Sequence, residues 1–473
     1  MSATIPPPPT SNPLRRIATD LRTERRSGRA GRRLPPGPTN FSVSRTRAFA
    51  RDPLQPLLDC YAQYGPTFTV RILHQASVFM LGPAANHYIT LSHPEKFHYR
   101  EGSMGDLMPL LGDGLLTLDG PPWRRHRRIV LPAFHHERLA GMADTMAAES
   151  EQALTGWREG ERLDFYAWAR RLSLRVAMRA LFGLDPDASS RGVDIAAEFE
   201  RALSFYGRDY FIQALRGPGT PWARMQAARR RLDRVLLGEI ARRRGSDEGG
   251  GDILSMLLQA RDEDDSALSD GQVRDEMMTL LFAGHDTTTS TVSFMFYELA
   301  RHPDVAARLV EEQDRVLAGR APTAAELMDA LPQLDMVVDE VLRLYPPAWI
   351  GPRRAVEEFE FEGHTVPART MVNYCSWASH RLPDVFADPE AFVPERFSPE
   401  NRAQLPKGAY VPFGGGSRTC VGMRFGQLEV KVIATAVLQR HRLGLEPGYD
   451  LSIRQMPTLS PRHGLPVIVR PRA

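Results

Sequence analysis

Phe413-Gly414-Gly415-Gly416-Ser417-Arg418-Thr419-Cys420-Val421-Gly422 is the most specific segment of this chain. Three consecutive glycines let the backbone approach something flat and close. Cys420 stands just before an apolar helical run, 421–438, whose positive end favours a thiolate. Arg418 adds positive charge and a donor for an anionic group. A glycine-cradled thiolate beside an arginine suits ligation of a haem iron, with the arginine reaching a propionate. The competing reading is a buried structural thiol on a glycine-rich turn. That reading holds for Cys60 and Cys375, because a free cysteine packs as a small hydrophobe. It is weak for Cys420: Phe, Gly, Arg, Cys and Gly at this spacing arise by chance on the order of 10⁻⁴ times per chain.

The rest of the composition narrows the classes. The chain has 473 residues, 42% of them hydrophobic, and a net charge of +3. It is therefore neither disordered as a whole nor drawn by its charge to nucleic acid. Three cysteines cannot make a disulfide scaffold and fit a reduced, cytoplasmic compartment. No window of about 18 apolar residues offers a transmembrane anchor, and residues 1–9 lack the pattern of a secretory signal. Residues 1–33 carry eight arginines against Asp20 and Glu24, a net of +6 that leaves −3 for the remainder. With the prolines of 6–9 and 35–38, residues 1–40 read as a solvated basic arm. Residues 41–473 read as one large domain, with no repeat and no composition break.

Strand signals lie at 67–72 and 77–81, and again at 358–374. Residues 225–244 alternate arginine clusters with Leu232, Val235, Leu236 and Ile240, an amphipathic helix ending at Gly245. A long helix over about 269–300 opens with Ser269 and Gln272 at capping-box spacing. The expected fold is mainly α with small β-sheets (α+β), the sheets drawing on both ends of the chain.

Within the long helix, Ala283-Gly284-His285-Asp286-Thr287-Thr288 breaks the local rules. A mid-helix glycine costs about 1 kcal/mol against alanine, and an acid followed by hydroxyls competes for backbone hydrogen bonds. The run reads equally as a Thr-rich buried helix with a charged edge or as a widened helix turn over the iron, with Asp286 and Thr287 relaying protons to bound oxygen. His285 receives no role.

The 413–422 segment resembles the haem-binding loop of the cytochrome P450 family, whose cysteine thiolate is the standard case of electron donation favouring O–O cleavage. Three further motifs follow the family's order. Glu340-Val-Leu-Arg343 resembles its E-x-x-R helix, and Pro394-Glu395-Arg396-Phe397 resembles the later loop whose arginine, here Arg396, joins that pair in a structural triad. Trp123 and Arg127 resemble its W-x-x-x-R helix, which implies propionate contacts, and Arg353 aligns with another propionate arginine beside Arg354. Phe413 and Gly422 complete the implied haem-binding set, with Cys420 as the metal ligand. In all, the resemblance spans about 40–470.

The resemblance implies a haem b monooxygenase that puts one atom of O2 into a C–H bond of a lipophilic small molecule. Met104, Leu107, Met108, Phe282, Ala283, Trp349 and Ile350 would line its pocket. Electrons would come from a separate ferredoxin or flavodoxin with its reductase, since neither a flavin segment nor an iron–sulfur spacing is present. The arginines of 124–128 form a candidate docking patch, and the enzyme would work as a monomer. A haem-thiolate peroxygenase or peroxide-rearranging enzyme is the alternative, and the Asp286–Thr287 relay argues against it. A haem sensor or carrier is more remote, having no use for a relay.

Overall fold

The computed structural model describes residues 33–187, 193–208, 210–246 and 250–472, together with 17, 18, 20–22, 24 and 25. Eight helices matter for the site: α1 Gly120–Val130, α2 His136–Leu154, α3 Phe165–Phe182, α4 Ile195–Leu203, α5 Pro221–Arg244, α6 Asp270–Arg301, α7 Pro332–Leu344 and α8 Met423–Leu438. The axis of the molecule is α6, about 48 Å long at 1.5 Å per residue. Its start is set as the sequence implies: the Ser269 hydroxyl accepts the Gln272 N–H at 3.3 Å, and the Gln272 side chain accepts the Ser269 N–H at 3.0 Å. It is buried nearly all round, against α3, α8 and α7. Such a helix is a core element rather than a surface one.

One sheet holds β1 Thr67–Ile72, β2 Gln75–Met80, β3 Phe97–His98, β5 Gly351–Ala355 and β6 Met371–Tyr374, in the order β1-β2-β6-β5-β3. Only β2 and β6 run parallel. A second sheet sets β8 Pro466–Pro471 between β4 Arg162–Asp164 and β7 His441–Leu445. The helices share one core, while Val78, Met80, Phe97, Val372 and Tyr374 belong to a smaller one around the first sheet.

One correction concerns the arm. Much of 1–32 lies outside the described residues, but 33–40 is part of the domain. The Pro36 and Pro38 carbonyls accept the N–H groups of Thr69 and Arg71 at 2.8 and 3.1 Å, and Pro35 accepts the Thr69 hydroxyl at 2.8 Å. Proline cannot donate in a ladder, but it can still accept. Asp20 and Glu24 reach the same sheet, Asp20 pairing with His74 and Arg354 and Glu24 with Arg71. The arm's two acids therefore sit against basic groups of the domain. Among the described residues no helix is long and apolar enough to cross a membrane.

Candidate functional site

The cysteine loop closes on itself: the Cys420 N–H donates to the Phe413 carbonyl at 3.0 Å, and the Gly414 N–H to Val411 at 3.1 Å. Gly422 caps α8, which starts at Met423 rather than Val421. Gly415 and Gly416 answer to a protein neighbour. A Cβ on Gly415 would meet the Thr90 hydroxyl at 2.6 Å, and one on Gly416, at φ +60°, the Thr90 carbonyl at 2.2 Å. Two of the three are thus required by packing on the 88–92 turn, and the expectation that they face a flat ligand is corrected to that extent.

Cys420 keeps accessible surface, yet protein surrounds it closely enough that desolvation pushes its thiol above the ordinary value. Both hold for a side chain that lines an interior space. The Gly422 N–H and Arg127 pull the other way and are outweighed. Helix end and arginine therefore do not make a thiolate unaided; a soft cation bound to the sulfur would.

Around this loop the basic residues converge. The Arg127 Nη2 donates to the Thr419 carbonyl at 2.7 Å, tying α1 to the loop. Arg418 donates to the Leu118 carbonyl at 3.0 Å and to Asp119 at 2.8 Å, and lies 3.9 Å over the Trp123 ring and 4.2 Å over Tyr99. Arg353 lies on Tyr99, 3.3 Å from the ring centre. Strand alternation settles which of two adjacent arginines points inward: Arg353 is buried here, while Arg354 turns to the Glu101 and Arg369 carbonyls. Burial, with Arg353 and Arg127 nearby, brings the Arg418 guanidinium down to about 10. Among the described residues Asp119 is the one carboxylate paired with this cluster, and it also accepts the Tyr99 and Arg100 N–H groups. A cluster with this charge deficit suits an anionic ligand bearing carboxylates. Soft sulfur donor, arginine cluster and aromatic walls together fit iron protoporphyrin.

Tyr99 and Asp119 were not evident from the sequence. Asp119 precedes Gly120-Pro-Pro as a helix cap would, but its side chain makes no cap bond and serves Arg418 instead.

Across from the loop, α6 crosses α8 where the Thr288 hydroxyl donates to Glu429 at 3.2 Å. Inside an otherwise buried stretch of α6, Phe282, Ala283, Gly284 and Thr287 keep partial exposure. A Cβ on Gly284 would meet nothing within 4 Å. Ala283, Gly284 and Thr287 share one face, and that face keeps accessible surface within the fold. The Thr287 hydroxyl donates to the Ala283 carbonyl at 2.7 Å. The helix is continuous α through this stretch, so the expected widened turn is absent. Asp286 is 3% exposed, and neither carboxylate oxygen has a directed hydrogen bond; Arg170 lies 3.1 Å away off the donor axis. Burial raises the Asp286 carboxyl above its usual range, against the pull of Arg170 and Arg454.

The other expected residues divide. Met104, Leu107, Met108 and Ile350 are half-buried. Trp349 is more deeply buried, its indole N–H donating to the Gln455 carbonyl at 2.9 Å. Glu340 and Arg343 are fully buried and bidentate at 2.7 and 2.8 Å, with Arg396 3.4 Å from Glu340. In the docking patch, Arg125 donates to Asp262 at 2.6 Å and Arg128 to Glu263 at 3.0 Å, so much of that charge is met within the chain. Arg124 and Arg424 remain on the surface.

Glu429 is a second buried carboxyl, pushed up to about 8 by desolvation, with one oxygen unpartnered. Folded protein therefore holds a proton that the unfolded chain, at 4.5, releases. Stability should fall as pH rises between those values and level off above the upper one. Glu429→Gln, neutral throughout, should gain on wild type across that window by at least about 1.4 kcal/mol, the equivalent of one pH unit. Urea unfolding at pH 4.5 and pH 9 measures this, and equal differences at both would count against it.

A cysteine at a helix start, set among converging arginines below a helix with a partly accessible stripe, defines a haem-thiolate protein. The Cytochrome P450 family model matches residues 34–465. Cyclooctat-9-en-7-ol 5-monooxygenase of Streptomyces melanosporofaciens is 35% identical over 419 residues, 86% of this chain and 89% of that one. Cyclooctatin synthase of the same organism is 37% identical over 77% of this chain and 80% of its own. The solved structure of retinoic acid bound cyanobacterial CYP120A1 superposes with TM-score 0.82 at 30% identity, covering 93% of this chain and 99% of that one. The chain belongs to the cytochrome P450 family, and it is a haem b monooxygenase.

Proposed function

We propose that Cys420 would supply the sulfur ligand of the haem iron, that Arg127, Arg353 and Arg418 would hold the propionates with Trp123, and that Phe413 and Gly422 shape the loop around the sulfur. The bound cofactor supplies the iron that activates O2 and the oxidising power. The protein's own residues supply position, dryness and protons. Asp286 takes a proton from the protein side and Thr287 passes it to the cavity face, the hydroxyl leaving the Ala283 carbonyl to do so. The observation that carries this reading is a buried acid without directed partners, one residue from an accessible hydroxyl.

The proposed substrate is largely hydrocarbon with few oxygens. Met104, Leu107, Met108, Phe282, Ala283 and Ile350 offer it an apolar, half-accessible lining. The alkenol in one relative's name and the retinoic acid of the superposed structure are both of that kind. Electrons would arrive from a ferredoxin or flavodoxin with its reductase. Arg424, at the start of α8, and Arg124, on the helix that Arg127 ties to the cysteine loop, are exposed cations for such a partner.

Asp286→Asn should slow product formation by about 10²-fold or more, the usual worth of a positioned proton donor. Thr287→Ala should instead spill reducing equivalents, giving little product per NAD(P)H consumed. With a surrogate ferredoxin and reductase, the turnover rate measures the first and the product-to-NAD(P)H ratio the second. Wild-type turnover in Asp286→Asn together with full coupling in Thr287→Ala would overturn the relay.

A further inference from the structure

The groups around Asp286 come from four elements. Arg170 lies on α3, Glu200 on α4, His285 on α6 itself and Arg454 on the strand Ile453–Arg454. The Nε–Nη2 edge of Arg170 is taken: its Nε and Nη2 donate to the two Glu200 oxygens at 2.7 and 2.8 Å, while its Nη1 donates to the Tyr166 hydroxyl at 2.9 Å. Bidentate arginine–carboxylate pairing is the strong and directional form, and Glu200 has it. Asp286 receives only the 3.1 Å off-axis approach of Nη2.

His285 completes the set. It is fully buried, its Nε2 3.2 Å from the Arg170 carbonyl and 3.4 Å from Glu200, and its Nδ1 3.4 Å from Asp286. Burial, with Arg170 adjacent, pulls the ring down to about 4, so it is neutral at ordinary pH. Arg170 is therefore the close full cation, and two carboxylates compete for it. Arg454 sits farther out, its Nη2 donating to the Tyr166 hydroxyl at 2.9 Å. Glu200 is 37% exposed, so the winner of that competition can exchange protons with solvent.

We propose that Glu200 is a positioning residue: by occupying the Arg170 fork it keeps Asp286 from being locked into an ion pair, and so leaves that acid free to carry a proton. This rests on Asp286 being the relay. The chemistry is a competition for one donor set. With Glu200 in place, Asp286 stays without directed bonds and keeps its raised affinity for a proton. Without it, the fork swings to Asp286, and a close opposite charge lowers a carboxyl by about 1–3 pH units.

The test is the infrared band of the protonated buried carboxyl, followed against pH in the haem-loaded protein. Asp286→Asn assigns the band. Glu200→Gln can still accept one of the two N–H donors, whereas Glu200→Ala accepts neither. The band midpoint should fall by about one pH unit or more in Glu200→Gln and farther in Glu200→Ala. A mere loss of nearby negative charge would shift both equally. Equal shifts, no shift, or no band lost in Asp286→Asn would each overturn the proposal. Product per NAD(P)H should drop in the same order as the midpoints. Should the midpoints shift while Asp286→Asn keeps wild-type turnover, the relay falls and the fork competition stands, so the two failures are distinguishable.

Discussion

Replacement of Cys420 by serine is expected to abolish the strongly red-shifted Soret band of the reduced carbon monoxide complex, and turnover with it. The reason lies in what surrounds the sulfur. The loop hydrogen bonds run between backbone groups, Cys420 N–H to Phe413 and Gly414 N–H to Val411, and none depends on the side chain. The arginine cluster likewise holds to backbone, Asp119 and rings. The variant should therefore fold and still take up haem through its carboxylates, but without the sulfur donor. Spectra of freshly purified protein decide it. A serine variant that keeps the shifted band and its turnover would sink the ligand assignment.

Arg343→Ala should be the most destabilising single change, costing about 3–5 kcal/mol because it strands a buried charge. All five N–H donors of Arg343 are in use: two to Glu340, and one each to the carbonyls of His380, Pro389 and Ala391. Removing them leaves Glu340, 0% exposed, with the Val393 N–H at 2.8 Å and the off-axis Arg396. Arg343→Lys should recover little, since an ammonium cannot reproduce the fork. Urea unfolding measures the loss, and a change below about 1 kcal/mol would show the pair to be dispensable. Arg396→Ala should cost less, because its Nη2 is held by the Asp388 carbonyl near solvent.

The parts of the site legible in the sequence are local ones. Cys420 and its loop are contiguous, and the capping box of α6 is four residues long. Glu340 and Arg343 are one helical turn apart, so their pairing follows from spacing. The parts that were not legible depend on distant chain. Arg125 and Arg128 read as an open basic patch, yet their acids lie 137 and 135 positions away. His285 had no assignable neighbour, because Arg170 and Glu200 approach it from two other helices. The choice between Arg353 and Arg354 needed the strand register, since one step in a strand reverses the face. Pro35 to Pro38 read as a break because proline lacks an N–H, while its carbonyls were overlooked.

That proline strip has a consequence for how the protein behaves in company. A strand at the rim of a sheet invites another chain to add to it. Here the rim of β1 is covered by a segment whose residues 35, 36 and 38 have no hydrogen to offer outward. The ladder is satisfied on its inner side and terminated on its outer one, so this end of the sheet gives aggregation no template on which to propagate.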